Sequence, residues 1–306
     1  MENYIGIDIG GTGIKGLILT AEHKTLAKAC IPSCSRAGSE KVCEQIFTLI
    51  DSLLLRANLS PKAISRIGMG IPGHWDKEKR VLSHCSNLPL TNIPFVEKIE
   101  KKYNIEVITT NDANAATLGE YILGAGQGTT NMLFVTVSTG IGAGAIIDGK
   151  LFSGSSGNAL ELGHITIEQN GLPCSCGNRG CAELYASGAA IAKAAEYMYF
   201  SLGDDITAEK VFQAAATGNS KACFIIRDAM ESLGACLSVA AQLFDPELIV
   251  VGGGLTKAGP QVIDAIKIGI KKRCAKPIAQ NLKVKSAQLG ENAGIYGAAL
   301  LAINEY

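Results

Sequence analysis

The chain has no excess of charge of either sign, no apolar run long enough for a membrane and no cationic start. Its 28 basic residues equal its 28 acidic residues, so the sequence predicts neither a nucleic-acid-binding surface nor an acidic tail. Each apolar stretch is interrupted well short of the roughly 20 residues that span a bilayer. Residues 1–4 lack the character of a signal peptide. We therefore expect a cytoplasmic protein with no nucleic-acid and no membrane partner.

A disulfide framework is also missing from the pattern. Seven of the ten cysteines are scattered through the 306 residues without regular spacing, which is typical of a protein in a reducing compartment. These seven are Cys30, Cys34, Cys43, Cys85, Cys223, Cys236 and Cys274.

The other three cysteines are concentrated in the sequence Cys174-Ser-Cys176-Gly-Asn-Arg-Gly-Cys181, which begins ten residues after His164. Three thiolates and one imidazole form a complete ligand set for a tetrahedral structural zinc site. Ordinary buried thiols beside a surface histidine are the alternative, but cysteines this dense seldom serve a plain core. The sequence therefore predicts a zinc ion held by His164, Cys174, Cys176 and Cys181.

Two carboxylates accompany this cluster. Glu161 precedes His164 by three residues, and Glu183 follows Cys181 by two. A metal bound to one ring nitrogen of His164 would fix its tautomer and leave the other nitrogen as a donor. A solvated surface carboxylate is the alternative for Glu161. We interpret Glu161, His164 and Glu183 as a polar set suited to a ring of hydroxyl groups.

Three glycine-rich turns divide the chain, and the first lies between two β-type runs at Gly10, Gly11 and Thr12. Glycines let backbone N–H groups approach a phosphate, Thr12 adds a hydroxyl donor, and Lys15 adds a positive charge. Asp8, at the end of the first run, could hold Mg²⁺ through water. A plain β-hairpin is an equal alternative for this turn taken alone.

The second turn repeats this design, and the third ends a buried strand. The second turn contains Thr139, Gly140 and Gly142, and the third contains Gly252, Gly253 and Gly254. Two similar hairpins half a chain apart predict a duplicated α/β fold. The two hairpins could hold one polyphosphate from both sides.

Asn111 and Asp112 follow a predicted strand and begin a predicted helix. Both residue types are good N-caps, which is the structural alternative for them. A carboxylate within hydrogen-bond reach of an alcohol also suits general-base catalysis of phosphoryl transfer. We assign that role to Asp112 and a neighbouring hydroxyl to Asn111. Gly73 and Asn87 are weaker substrate-binding candidates, with ordinary loop structure as the alternative.

Apolar spacing predicts the main elements. Helices are expected at residues 39–58, 95–103, 113–122, 186–200, 227–244 and 294–303, and strands at residues 67–71 and 105–109. We place an N-terminal α/β domain at residues 1–117 and a C-terminal α/β domain with the zinc motif at residues 118–306. The last helix, at about residues 291–306, is expected to pack back on the N-terminal domain.

The order of these motifs resembles the ROK family (repressor, open reading frame, kinase). The resemblance runs from residue 5 to about residue 303 and includes Asp8-x-Gly-Gly-Thr12, Gly70-Ile-Pro-Gly73, Asn87-Leu, Asn111-Asp112-Ala-Asn, Ser-Thr139-Gly-x-Gly, Glu161-x-Gly-His164, the cysteine cluster and Val-Gly252-Gly-Gly. It implies a duplicated actin/Hsp70/hexokinase-like (ribonuclease H-like) fold of two domains with an interdomain cleft. It also implies an ATP-dependent sugar kinase that uses Mg²⁺ and forms a homodimer.

The resemblance also implies a role for each candidate residue. Asp112 would be the catalytic base and Asp8 would lie by the magnesium. The sugar would be bound by Gly73, Asn87, Asn111, Asp112, Glu161, His164 and Glu183. The phosphates would lie at the first two turns, the adenosine near the third, and the zinc on His164 and the three clustered cysteines.

Two departures from the family pattern leave the sugar open. Leu160 precedes Glu161 where the family often has glycine, and Ser138 and Ala143 replace common glycines of the second hairpin. Glucose is our first choice, with N-acetylmannosamine, allose, N-acetylglucosamine and fructose as alternatives, because hexose epimers differ only in hydrogen-bond geometry. A sugar-sensing repressor is a further alternative, disfavoured because the first turn begins too early for a helix-turn-helix module to precede it. An actin- or Hsp70-like ATPase would not need the His–Cys–Glu cluster.

Overall fold

The structure is a computed structural model that describes residues 2–76, 78–85, 88–198 and 205–304. Contacts divide it into two compact units. The first unit consists of the described residues within Met1–Gln127, Gly144–Ala159 and Glu291–Tyr306. The second unit takes its described residues from Gly128–Ala143 and Leu160–Gly290.

The strands and helices follow one another in an alternating α/β order. The strands are β1 (Asn3–Ile9), β2 (Gly13–Thr20), β3 (Thr25–Pro32), β4 (Ile64–Ile71), β5 (His74–Asp76), β6 (Val81–His84), β7 (Glu106–Asn111), β8 (Met132–Val137), β9 (Ile141–Ile147), β10 (Lys150–Phe152), β11 (Leu248–Gly252) and β12 (Lys283–Ser286). The helices are α1 (Ser39–Ala57), α2 (Phe95–Tyr103), α3 (Asp112–Leu123), α4 (Glu183–Ala186), α5 (Gly188–Tyr197), α6 (Ala208–Ala216), α7 (Ser220–Phe244), α8 (Pro260–Arg273), α9 (Lys276–Asn281) and α10 (Ala293–Ile303).

The two large sheets share one design. The first has the order β3-β2-β1-β4-β7, with β1 antiparallel to β2 and parallel to β4. The second has the order β10-β9-β8-β11-β12, with β9 antiparallel to β10, and β11 parallel to both β8 and β12. In each sheet a hairpin begins the order and parallel strands reached by helical connections complete it. The predicted duplicated α/β fold is confirmed.

The last helix belongs to the first unit. Helix α10 packs on α3, β1 and β4, and glycines on both sides let the backbones touch. A Cβ at Gly6 would overlap the carbonyl of Ile295, and one at Gly68 would overlap the carbonyl of Ala298. Because the sheet carries no side chain at these two points, the helix lies directly on β1 and β4.

Most of the predicted elements are found close to their predicted bounds, and two predicted helices are corrected. The helix expected at residues 186–200 is broken at Ser187, whose backbone is extended and whose side chain accepts the N–H of Ala190 as the N-cap of α5. Its predicted last residue, Phe200, lies outside the described residues. Helix α7 begins seven residues before the predicted Arg227, because Asn219 caps it by accepting the N–H of Ala222.

Among the described helices, none is both long enough and apolar enough to cross a bilayer.

Candidate functional site

Asp8 and Asp112 lie at the carboxyl edge of the first sheet. Asp8 is opposite Gly70 in the parallel pair β1–β4, and β7 ends at Asn111, directly before Asp112. A Cβ at Gly70 would lie 3.7 Å from Asp8 Oδ1 and 3.6 Å from the Cα of Asp112. Because β1, β4 and β7 are parallel neighbours that end at one edge of the sheet, the two predicted carboxylates lie near each other, on either side of Gly70.

The neighbours of Asp8 shift its pKa upwards. Burial and the nearby carboxylate of Asp112 raise the pKa of Asp8 to about 7, and the ammonium group of Lys15 acts in the opposite direction. Helix α10 also packs closely against Asp8, because a Cβ at Gly294 would lie only 2.7 Å from Asp8 Oδ2. This carboxylate lies in a confined polar position that a cation would stabilise.

Asn111 and Asp112 begin helix α3. Asn111 Oδ1 accepts the N–H of Ala113 at 2.9 Å, and Asp112 Oδ1 accepts the same N–H at 2.8 Å. The structural alternative considered for Asn111, an N-cap, is therefore found. Each side chain uses one oxygen in this bond, so a cap and a contact with a substrate hydroxyl are compatible.

The first glycine-rich turn is held by serines that were not predicted. The carbonyl of Gly11 accepts hydrogen bonds from Ser33 Oγ at 2.6 Å and Ser35 Oγ at 2.7 Å. Gly10 closes the turn by donating its N–H to the carbonyl of Gly13 at 2.9 Å. Thr12 is exposed at the tip. The turn is thus fastened through its carbonyls.

Lys15 lies opposite Asp8 in the hairpin β1–β2. Its Nζ is 3.3 Å from Glu291 Oε2 and 3.4 Å from the carbonyl oxygen of Glu291. The Lys15 and Glu291 side chains are 35% and 67% exposed, so this ion pair is weak.

Gly73 has a structural reason to be glycine. Its φ is +91°, and a Cβ there would overlap the carbonyl of His84. Next to it, the ring of His74 stacks on that of His84 and lies with Nδ1 3.3 Å from Asn158 Oδ1. Asn87, the other weak candidate of this loop, lies outside the described residues.

In the second unit, Ser138 joins the second and third turns. Its hydroxyl accepts the N–H of Gly254 at 2.9 Å, and its carbonyl accepts the N–H of Gly188, at the start of α5, at 2.7 Å. Gly253 has φ +87°, and a Cβ there would overlap the carbonyl of Val137. Thr139 and Gly140 of the second turn are thereby placed beside the glycines of the third, while Gly142 lies within β9.

Glu183 contacts the second turn directly. Its Oε2 accepts the N–H of Ile141 at 2.8 Å, and a Cβ at Gly140 would overlap the same oxygen. A Cβ at Gly163 would also lie 3.4 Å from it. The structure therefore places Glu183 between the second turn and the segment that carries His164.

Glu161 is exposed and is held by an unusual backbone. It is the centre of an inverse γ-turn, with φ −71° and ψ 58°, closed by Leu162 N–H and the carbonyl of Leu160 at 2.7 Å. Leu160 has φ +68°, a left-handed conformation that favours glycine. This explains why a glycine suits the position before Glu161.

The four predicted metal ligands converge. The ligand atoms of His164, Cys174, Cys176 and Cys181 all lie within 4.8 Å of one another. His164 Nδ1 is 3.7 Å from Cys174 Sγ, and Cys176 Sγ is 3.6 Å from Cys181 Sγ. A tetrahedral zinc with bonds of about 2.3 Å would separate its sulfur ligands by about 3.8 Å. The spacing and the donor set both fit zinc.

The protein alone does not hold all these thiols ionised. Burial raises the pKa of Cys181 to about 12, whereas a backbone hydrogen bond at Asn178 lowers the pKa of Cys176. A metal ion would therefore displace the proton of Cys181 on binding.

Known proteins resemble the chain over nearly its whole length. The model of the ROK family matches residues 4–305. A glucokinase of Halalkalibacterium halodurans is 34% identical over 310 residues, which cover 97% of this chain and 94% of that protein. A xylose repressor of Caldicellulosiruptor bescii is 30% identical over 313 residues, which cover 99% of this chain and 78% of the repressor.

A solved structure gives the same result. A ROK family glucokinase from Streptomyces griseus, in complex with glucose and AMPPNP, has a TM-score of 0.83 to this chain at 32% identity, and the match covers 98% of both chains.

Proposed function

The chain belongs to the ROK family. From that premise we propose that it is an ATP-dependent sugar kinase, with glucose as the first choice among the candidate sugars. It would transfer the γ-phosphoryl group of ATP to the 6-hydroxyl of the sugar. The observation that carries this proposal is the pair of carboxylates Asp8 and Asp112, which lie near each other at the carboxyl ends of parallel strands. A cation site and a general base are the two groups that phosphoryl transfer to an alcohol requires.

The catalytic step is assigned to Asp112. Its carboxylate accepts the hydrogen of the 6-hydroxyl as the oxygen bonds to phosphorus, and the leaving group departs as ADP. Asp8 would hold the magnesium ion through water, where the ion would neutralise phosphate charge. Asn111 would orient a neighbouring hydroxyl as donor and acceptor.

Further groups bind the two substrates. We assign Gly73, Asn87, Glu161, His164 and Glu183 to the sugar. The nucleotide phosphates are assigned to Gly10, Gly11, Thr12, Lys15, Thr139, Gly140 and Gly142, and the adenosine to Gly252, Gly253 and Gly254. The hydrogen bond between Ser138 and Gly254, which joins the second and third turns, supports the assignment of both turns to one nucleotide.

A structural zinc ion is proposed for His164, Cys174, Cys176 and Cys181. When bound, zinc would fix His164 through Nδ1, which faces Cys174, and leave Nε2 as a defined donor for a sugar oxygen. The ion would have no part in the chemical step.

We also propose that the protein acts in the cytoplasm as a homodimer. All ten cysteines are unpaired, which suits a reducing compartment. The dimer rests on the family resemblance, and light scattering of the pure protein would test it.

The experiment that tests the function is a coupled ADP-release assay across glucose, N-acetylmannosamine, allose, N-acetylglucosamine and fructose, ranked by kcat/KM. We expect ADP release that depends on the sugar, with the highest kcat/KM for glucose. ADP release that is independent of any sugar would indicate an ATPase instead and reject the proposal.

A sugar-responsive regulator without kinase activity is the second candidate, favoured by the similarity to a xylose repressor. Sugar binding with no ADP release in the same assay, together with retardation of operator DNA, would support it.

A further inference from the structure

Ser138 is the residue at which three segments of the second unit meet. Its N–H donates to the carbonyl of Gly140 at 2.9 Å, its carbonyl accepts from Gly188 N–H at 2.7 Å, and its hydroxyl accepts from Gly254 N–H at 2.9 Å. The first two bonds use the backbone and are open to any residue type. Only the third depends on the side chain of Ser138.

The segment held by this third bond opens a short 3₁₀-helix at Gly254–Ala258, and the carbonyl of Gly253 accepts a hydrogen bond from Thr256 Oγ1 at 2.8 Å. Strand β11 ends at Gly252, the first of three consecutive glycines that run to Gly254, and glycine has the largest backbone freedom to lose on ordering. At Gly253 a Cβ would overlap the carbonyl of Val137, so only glycine fits there. Gly254, which comes next, is held by the hydroxyl of Ser138.

We propose that Ser138 is a positioning residue for the nucleotide, whose hydroxyl fastens the third turn to the second before ATP binds. The inference rests on the proposed function, which assigns phosphates to the second turn and adenosine to the third. When the turn is ordered before the nucleotide binds, less conformational entropy is lost on binding. The hydroxyl therefore improves nucleotide affinity without touching the reacting atoms.

Exposure of the side chain separates this role from a purely structural one. Ser138 lies at the surface, so its loss leaves no polar group stranded in a core, and the free Gly254 N–H can be solvated. We expect the substitution to change nucleotide binding far more than folding.

The test compares Ser138→Ala, Ser138→Gly and Ser138→Thr with the wild type. In Ser138→Ala the KM for ATP should rise about fivefold to tenfold, the scale of one hydrogen bond. The kcat and the KM for glucose should stay within about twofold. Ser138→Gly should raise the KM for ATP further because it adds backbone freedom. Ser138→Thr, which keeps the hydroxyl, should restore the wild-type value.

Ser60 provides the matched control, since it is exposed and its side chain makes no capping bond. Ser60→Ala should leave every constant unchanged. An unchanged or lower KM for ATP in Ser138→Ala, or a Ser138→Thr variant as impaired as Ser138→Ala, would overturn the proposal.

Calorimetric titration with AMPPNP separates this inference from the proposed function. Absence of sugar-dependent turnover in the wild type would reject the kinase. AMPPNP binding would still test Ser138, with a fivefold to tenfold weakening expected in Ser138→Ala and equal affinity for both proteins contradicting the inference.

Discussion

The carboxylate of Glu183 accepts the backbone N–H of Ile141 at 2.8 Å. The bond joins the first residue of α4 to the first residue of β9, directly after the second glycine-rich turn. One side chain therefore fastens that turn and is also the group we assign to the sugar.

Substitution of Glu183 should separate these two roles. Glu183→Ala leaves the partly buried Ile141 N–H without its acceptor and should lower the free energy of unfolding by about 1–3 kcal/mol. Glu183→Gln keeps an oxygen acceptor and should cost less than about 1 kcal/mol, yet both variants should raise the KM for glucose. Chemical denaturation and sugar kinetics measure the two effects, with exposed Glu196→Ala as the control. A glucose KM that is normal in Glu183→Gln would limit the residue to its structural role.

Asp112→Asn should abolish most turnover and preserve the fold. The amide oxygen can still accept the N–H of Ala113, which Asp112 Oδ1 accepts at 2.8 Å, but it cannot take a proton. We expect kcat to fall by about 10²–10⁴-fold, with glucose affinity within a few-fold of wild type. Single-turnover kinetics and calorimetry measure these, and Asp264→Asn on the exposed face of α8 is the control. Near-normal turnover would reject Asp112 as the base.

Cys176→Ser should release the zinc ion. Cys176 is exposed, so the substitution creates no cavity. Any loss of stability therefore reflects the loss of the metal ion. We expect zinc content to fall from about one per chain towards zero. Loss of about 3 kcal/mol would lower the Tm by roughly 6–12 °C. Elemental analysis and calorimetry measure both. Cys223→Ser, outside the cluster, should change neither, and zinc-free wild-type protein of full stability would contradict the assignment.

Leu160→Gly should be more stable than Leu160→Ala by about 1 kcal/mol. Both variants lose the same side chain, but alanine keeps the Cβ that strains a backbone at φ +68°. At an ordinary negative φ the order would be reversed, with glycine less stable by about 0.5–1 kcal/mol. Urea denaturation of the two variants decides the sign, and the reversed order would exclude the left-handed conformation.

Asp8→Asn should make the protein less sensitive to pH. The pKa of Asp8 is about 7, above its usual value near 3.9 in an unfolded chain. The native state therefore holds this proton more tightly, and wild-type stability falls as pH rises from about 4 to 7. The variant should gain on wild type across that window, by up to roughly 4 kcal/mol, the free energy that corresponds to a pKa raised from about 3.9 to about 7.

The measurement for Asp8 is the unfolding free energy against pH without nucleotide or magnesium. The gain should level off above pH 7. Parallel curves for the two proteins would show that the pKa of Asp8 is not raised.

Much of the fold was predictable because its signals are local. The hairpins at the first and second turns, the helix that begins at Ser39 and the strand that ends at Gly252 follow from apolar spacing and glycine turns, which depend on neighbouring residues only. Apolar spacing gave the wrong helix boundaries near Ser187 and Asn219. At each of these residues a side chain that caps a backbone N–H sets the start of the helix.

The candidate site was predictable as a set of residues and not as an arrangement. Sequence alone determined that His164 and three cysteines form a metal-ligand set, since chemistry and spacing both point to one ion. It contained no signal for the serines that hold Gly11, and it marked Ser138 only as a departure from a pattern.

Only the tertiary structure decided which distant groups meet. Asp8 and Asp112 lie near each other because parallel strands end at one edge, and burial together with that proximity raises the pKa of Asp8. The bond from Ile141 to Glu183 likewise joins segments 42 residues apart in the chain. Residue types and their order are properties of the sequence, whereas distances, burial and electrostatic coupling exist only once the chain has folded.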